Sequence, residues 1–210
     1  ALAILFGYLS AVHAGKFTDR ALTILSLVGI SMPVFWLAAM LLYYLTFKVE
    51  LFPTGSYVPF TESPGEWAYH LILPWFTLAV LFVGIYSRVL RSNMLDVMNE
   101  DYVRTARAKG LSERKVMTRH VLRNSLIPII TLFGLDFGAT IAGTAIITET
   151  LYDINGVGSY AADAVTNFEL PPIMGVTLYG AFFVVFINAL VDITYAYLDP
   201  RVRLGEAAAE

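Results

Sequence analysis

The sequence predicts an all-α integral membrane protein, a polytopic helix bundle, and three observations predict it. Hydrophobic residues make up 57% of the 210 and charged residues only 15%, against roughly 45–50% and about 25% in soluble domains. Apolar stretches of membrane length recur along the chain, and a membrane helix needs about 20 such residues. The charges are also segregated: 13 of the 14 Lys and Arg residues fall in one alternating set of the intervening loops.

Five apolar segments follow one another. The first, Ala1 to about Ala14, is too short to cross a bilayer and reads as the tail of a truncated helix. The second runs from about Leu22 to Phe47, the third from Leu71 to about Leu90, the fourth from about Leu126 to Thr148, and the fifth from about Ile173 to Leu198. Membrane barrel strands would be about 10 residues long with alternating polarity, and no such pattern occurs. The expected organisation is one transmembrane domain over residues 1–210, truncated at its N-terminus. One further helix is expected before Ala1, six in all.

Orientation follows from the basic residues, because Lys and Arg that flank membrane segments are retained on the cytoplasmic side. Lys16 and Arg20 precede segment two; nine basic residues from Arg88 to Arg123 lie between segments three and four; Arg201 and Arg203 follow segment five. The opposite loops hold Lys48 as their one basic residue, beside Glu50, Glu62, Glu66, Glu149, Asp153, Asp163 and Glu169. The long basic loop and the C-terminus are therefore expected in the cytoplasm. Tyr57, Trp67, Tyr69 and Trp75 suit headgroup depth on the other side. There, Asn155, Gly156 and Gly158 form a turn, and a short helix from Ser159 to about Phe168 is expected before Pro171 and Pro172 stop it.

Composition and motifs exclude several functions. The chain has no cysteine, so no disulfide framework, thiolate zinc site or thiol nucleophile can be built. His13, His70 and His120 are widely separated and offer no metal cluster. No G-x-x-x-x-G-K-[ST] loop is present, which places any ATP site, with its magnesium, on another polypeptide. No cofactor is expected in this chain. The basic loop is short, held at the membrane and without aromatic platforms, so nucleic acid is not a partner. A membrane-embedded enzyme would need a nucleophile with its base, and none is visible.

The loop spanning 92–125 reads as two short helices. Glu100 and Asp101 suit the positive end of a helix running to about Lys109, Gly110 can take the left-handed conformation that ends it, and Ser112 can cap the next. Tyr102, Val103, Ala106, Ala108 and Leu111 are read as exposed, and small or apolar residues at helical spacing suit a groove on a partner. Chemistry alone equally allows a helix lying on the inner leaflet with its bases near lipid phosphate.

The wording of this loop adds to that reading. Glu-Asp-Tyr-Val-Arg-Thr-Ala-Arg-Ala-Lys-Gly-Leu (100–111), continuing to His120-Val-Leu-Arg-Asn-Ser-Leu-Ile-Pro128, resembles the cytoplasmic coupling signature, or EAA loop, of type I, binding-protein-dependent ABC importer permeases. It is most similar to the variant in the dipeptide, oligopeptide and nickel importers. Gly-Ile-Ser-Met-Pro-Val-Phe-Trp (29–36), Glu-Thr-Leu-Tyr (149–152), Gly-Val-Gly (156–158) and Leu-Asp-Pro-Arg-Val-Arg (198–203) fall where that family has similar words. Arg104, Thr105 and Ala106 stand where the general pattern has Glu-Ala-Ala, and His120 to Arg123 where it has Ile-x-Leu-Pro; both departures are typical of the peptide branch.

The resemblance implies a permease subunit of an inner-membrane importer, without enzymatic activity of its own. Tyr102, Val103, Arg104, Ala106, Arg107, Gly110 and Leu111 would couple it to the ATPase. Its implied partners are a second homologous permease, two ATPase subunits, an extracytoplasmic substrate-binding protein and membrane lipid. Cargo stays open among dipeptides, oligopeptides, nickel chelates and glutathione. The competing reading is an autonomous secondary transporter or channel, which would need no docking elbow.

A carboxylate within a membrane segment is costly and points to function by default. Asp136, flanked by Gly134 and Gly138, either lines the translocation path and meets a peptide amino terminus, or bonds to a Ser, Thr or Tyr of a neighbouring helix. Asn188 and Asp192 share a face, read as pointing into the bundle. Pro33 removes a backbone hydrogen bond in segment two and kinks it, as a hinge or as a static bend.

Overall fold

A computed structural model describes residues 1–53, 55 and 57–198. Helices account for the regular structure among these residues, with no strand. In order they are α1 (Leu2–Val12), α2 (Phe17–Ser31), α3 (Val34–Leu41), which widens into a π-helical turn over Leu42–Lys48, and α4 (Pro64–Val97). Next come α5 (Asp101–Ala108), α6 (Glu113–Lys115) with a π-helical stretch over Val116–Leu122, and α7 (Arg123–Ser125). The chain continues through α8 (Ile127–Ala139), which runs on into Thr140–Thr144 and kinks at Gly143 (φ 100°), then α9 (Ile146–Leu151), α10 (Val157–Thr166) and α11 (Leu170–Leu198).

Pro64–Val97, Ile127–Thr144 and Leu170–Thr194 are each long and apolar enough to cross a membrane, and Phe17–Ser31 with Val34–Lys48 pass the same test together. The 34 residues of α4 extend about 50 Å at 1.5 Å each, beyond the roughly 30 Å hydrocarbon core. The third apolar segment therefore runs on past Leu90, and Arg88 and Arg91, read from sequence as loop, are helical. Two proline expectations also change. Segment two is a broken helix: α2 ends at Ser31, and α3 restarts after Pro33, which has extended geometry (φ −60°, ψ 134°). Pro171 and Pro172 sit in the first turn of α11, where a missing N–H costs nothing; they start that helix instead of stopping α10.

The helices gather into two compact units, one of residues 1–29, 83–136 and 186 onward, the other of 30–82 and 137–185. The first has a core of aliphatic and small side chains: Leu90 and Met94 of α4, Val103 and Ala106 of α5, Val116, Met117 and Val121 beyond it, and Ala11 of α1. Burying a side chain the size of Val or Leu is worth roughly 1.5–3 kcal/mol. Beside this core sits a partly buried ion pair. Asp19 of α2 is 3% exposed and accepts Arg91 Nε at 2.6 Å and Nη2 at 2.7 Å, Ser10 Oγ at 2.5 Å and the Gly15 N–H at 2.8 Å. Ser26 and Ser87 hydrogen-bond at 2.9 Å further along the same pair of helices.

In the second unit the core is smaller, built on Ala38, Leu73 and Tyr152, with a Thr77–Tyr152 hydroxyl pair at 2.8 Å. Its helices approach through glycine. A Cβ on Gly158 would lie 2.6 Å from the Gly143 carbonyl oxygen, and one on Gly156 would run into the Glu149 carboxylate. That carboxylate accepts the Ser159 N–H at 2.8 Å in the first turn of α10, where a negative charge complements the helix dipole. Large apolar side chains such as Leu178, Phe182 and Val185 of α11 point outward, as helices do where the solvent is lipid.

Candidate functional site

The basic loop folds as an elbow. Glu100 stands at the N-cap of α5 in extended geometry (φ −67°, ψ 146°). The helix closes at Lys109, and Gly110 follows with φ 77°, a conformation that costs an L residue roughly 1 kcal/mol and glycine nothing. Its N–H bonds the Arg107 carbonyl at 2.9 Å. Ser112 takes the N-cap position of α6 through backbone geometry alone, without a side-chain cap.

Which face of α5 is presented differs from the sequence expectation. Val103 is fully buried and Ala106 is 6% exposed, both in one buried cluster with Leu90, Met94, Val116, Met117 and Val121. They hold the elbow against its own unit and cannot enter a partner's groove. The i, i+3 spacing of the two residues signalled a packed face; sequence alone did not say against what. Leu111 is half-buried against the same core. The open face carries Tyr102, Arg104, Thr105, Ala108 and Lys109.

Arg107 is committed within the elbow. Its Nε and Nη2 donate to the two carboxylate oxygens of Glu113 at 3.1 and 2.9 Å, and Nη1 reaches the Met98 carbonyl at 3.4 Å. The bidentate fork raises the Arg107 pKa and lowers that of Glu113, each chiefly through this hydrogen bond. Glu113 was missed in the sequence; an Arg–Glu pair six residues apart across a glycine is a signal visible only once the turn is known. Asn124 Nδ2 donates to the Tyr102 hydroxyl at 2.7 Å, tying the open face to α7.

In the membrane segments, Asp136 of α8 accepts the Tyr86 hydroxyl at 2.6 Å, and Tyr86 is buried. A Cβ on Gly134 would collide with Val191 of α11, so the space Gly134 leaves is filled by that side chain. Gly138 is also buried. Asp192 is exposed, which corrects the inward placement expected of it, whereas Asn188 is half-buried, as is Val191 on the packed face with Ile187. Arg201, Arg203 and the 198–203 word beyond Leu198 lie outside the described residues. No group of three or more His, Asp or Glu that could hold a metal occurs among the described residues.

Comparison with known proteins gives this geometry its setting. The family described as "Binding-protein-dependent transport system inner membrane component" matches residues 3–204. The chain is 38% identical over 198 residues to the probable peptide ABC transporter permease protein y4tP of Sinorhizobium fredii, covering 94% of this chain and 63% of that protein. It is 40% identical over 200 residues to a putative peptide transport system permease protein of Brucella abortus (95% and 63%). To the oligopeptide transport system permease protein AppB of Bacillus subtilis it is 39% identical over 204 residues (96% and 64%). It thus spans slightly under two thirds of the length of these relatives. With the family match extending over residues 3–204, the chain belongs to the binding-protein-dependent transport system inner membrane components.

Proposed function

We propose that this chain is the translocating part of an ATP-driven importer of di- or oligopeptides and that it couples to a separate ATPase through the elbow of residues 101–111. The peptide and oligopeptide names of its relatives support the cargo. The observation that carries the coupling role is the construction of α5, whose buried Val103 and Ala106 and bidentate Arg107–Glu113 staple keep Tyr102, Arg104, Thr105, Ala108 and Lys109 presented on a rigid base. A preformed surface loses little entropy on docking. In this reading the elbow and the C-terminus face the cytoplasm of the inner membrane. ATP and magnesium bind the ATPase pair, a second homologous permease completes the path, and an extracytoplasmic binding protein delivers cargo. Asp136 lines that path, held in place by Tyr86, while Gly134 and Gly138 serve helix packing beside it, and the break at Pro33 acts as a hinge between access states.

Because the chain has no cysteine, a single introduced thiol is unambiguous. Ala108→Cys, on the open face of α5, is expected to form a disulfide with a cysteine in the cleft of a co-purifying ATPase, since bridging requires Cα atoms within about 7 Å. Tyr57→Cys, outside the elbow, is expected to give none. Absence of any ATPase from the purified assembly, or full access of water-soluble thiol reagents to position 108 within it, overturns the coupling role.

A further inference from the structure

Asp19 gathers donors from three separate stretches of the first unit. Ser10 comes from the end of α1, Gly15 from the α1–α2 turn, and Arg91 from α4, 72 residues away. Arg91 lies in the sequence between Leu90 and Met94, the two α4 side chains that share one buried cluster with Val103 and Ala106 of α5. The pair thus fastens the α1–α2 turn to the segment of α4 that carries the elbow. Apolar contacts allow helices to slide past one another, whereas a bidentate guanidinium–carboxylate fork fixes both distance and angle. The carboxylate is 95% buried as a side chain and its partner 31% exposed, so separating them leaves an uncompensated buried charge.

We propose that Asp19 and Arg91 are positioning residues for coupling: they lock the α1–α2 turn to the base of the elbow so that the two move as one body when the ATPase acts. This rests on the coupling role proposed for α5. The pair is not needed to shape the docking face itself, which is held by Val103, Ala106 and the Arg107–Glu113 staple. It determines how far a displacement of that face is carried.

The test uses the full subunit in its purified assembly. Nitroxide labels are placed at Lys16→Cys in the turn and Asn99→Cys at the base of the elbow, both exposed positions, and their separation is measured by pulsed electron paramagnetic resonance with and without ATP and vanadate. With Asp19 and Arg91 intact, the distance is expected to stay constant on nucleotide trapping. With Asp19→Asn, and with Arg91→Lys, which keeps the charge but loses the fork, it is expected to shift or broaden on trapping while the ATPase remains bound. A purely structural pair would alter the distance equally in both nucleotide states. Such an equal change, a distance as constant in the variants as with the pair intact, or a nucleotide-dependent distance with the pair intact, each overturns the inference. If neither variant assembles, and the reversed pair Asp19→Arg/Arg91→Asp also fails, the residues serve folding alone and the inference falls. A subunit that co-purifies with no ATPase before any substitution overturns the coupling role instead.

Discussion

The two units hold their helices together by different means. In the first, α5 and its neighbours bury Leu90, Met94, Val103, Val116 and Val121 as a soluble protein would, and a charged fork stands at the margin of that core. In the second, the buried core is small and the close contacts are backbone against backbone at Gly143 and Gly158, with one carboxylate at the start of α10. The difference has a physical cause. Where water bathes one side of a structure, burying apolar side chains drives association, but between helices in lipid that force is absent and close approach through small residues takes its place. The unit containing the basic elbow follows the first logic.

Breaking a buried polar contact in each unit tests this contrast. Arg91→Met leaves Asp19 buried without its partner and is expected to cost on the order of 3 kcal/mol, read as thermal unfolding of the detergent-solubilised subunit. Tyr152→Phe in the second unit removes a hydroxyl bond from Thr77, which keeps the Leu73 carbonyl as a partner, and about 1 kcal/mol is expected. Equal losses would erase the distinction.

Glycine substitutions sharpen it. Gly158→Ala must push the Gly143 carbonyl or the Ile146 backbone aside, an overpacking cost of about 1–3 kcal/mol. Gly110→Ala meets open space and bears only the strain of φ 77°, about 1 kcal/mol. The same melting experiment separates them, and a larger loss at position 110 would show that the elbow glycine serves close packing after all.

The smallest effect belongs to the Arg107–Glu113 staple. Glu113 is 60% exposed, so solvent screening limits the pair to below about 1 kcal/mol. Its folded pKa is lowered by Arg107; the stabilisation is therefore complete above the ordinary carboxylate range and lost as pH falls through the folded value. Melting curves of Glu113→Gln and the parent chain are expected to differ slightly at neutral pH and to converge in acid. A difference that grows with acidification would contradict the staple.

Much of this protein can be read without coordinates. Helical class and membrane character follow from composition and segment length, because those properties are sums over residues and need no knowledge of neighbours. The elbow, its glycine turn and the short helix after Gly156 are likewise local, set by caps and by φ preferences. The limits of that reading appear at particular residues. Arg91 counted only as one basic charge among many; its partner lies 72 positions away, and no local pattern distinguishes Asp19 from a solvated carboxylate. Val103 and Ala106 marked a packed face of α5, but whether that face met a partner or its own chain depended on where Leu90 and Met94 came to lie. The words at 149–152 and 156–158 became one structure only when Glu149 reached the Ser159 amide. Local chemistry thus determined which helices form and where they end, and the tertiary structure decided which side chains they spend on one another, since burial is a property of pairs brought together by the fold.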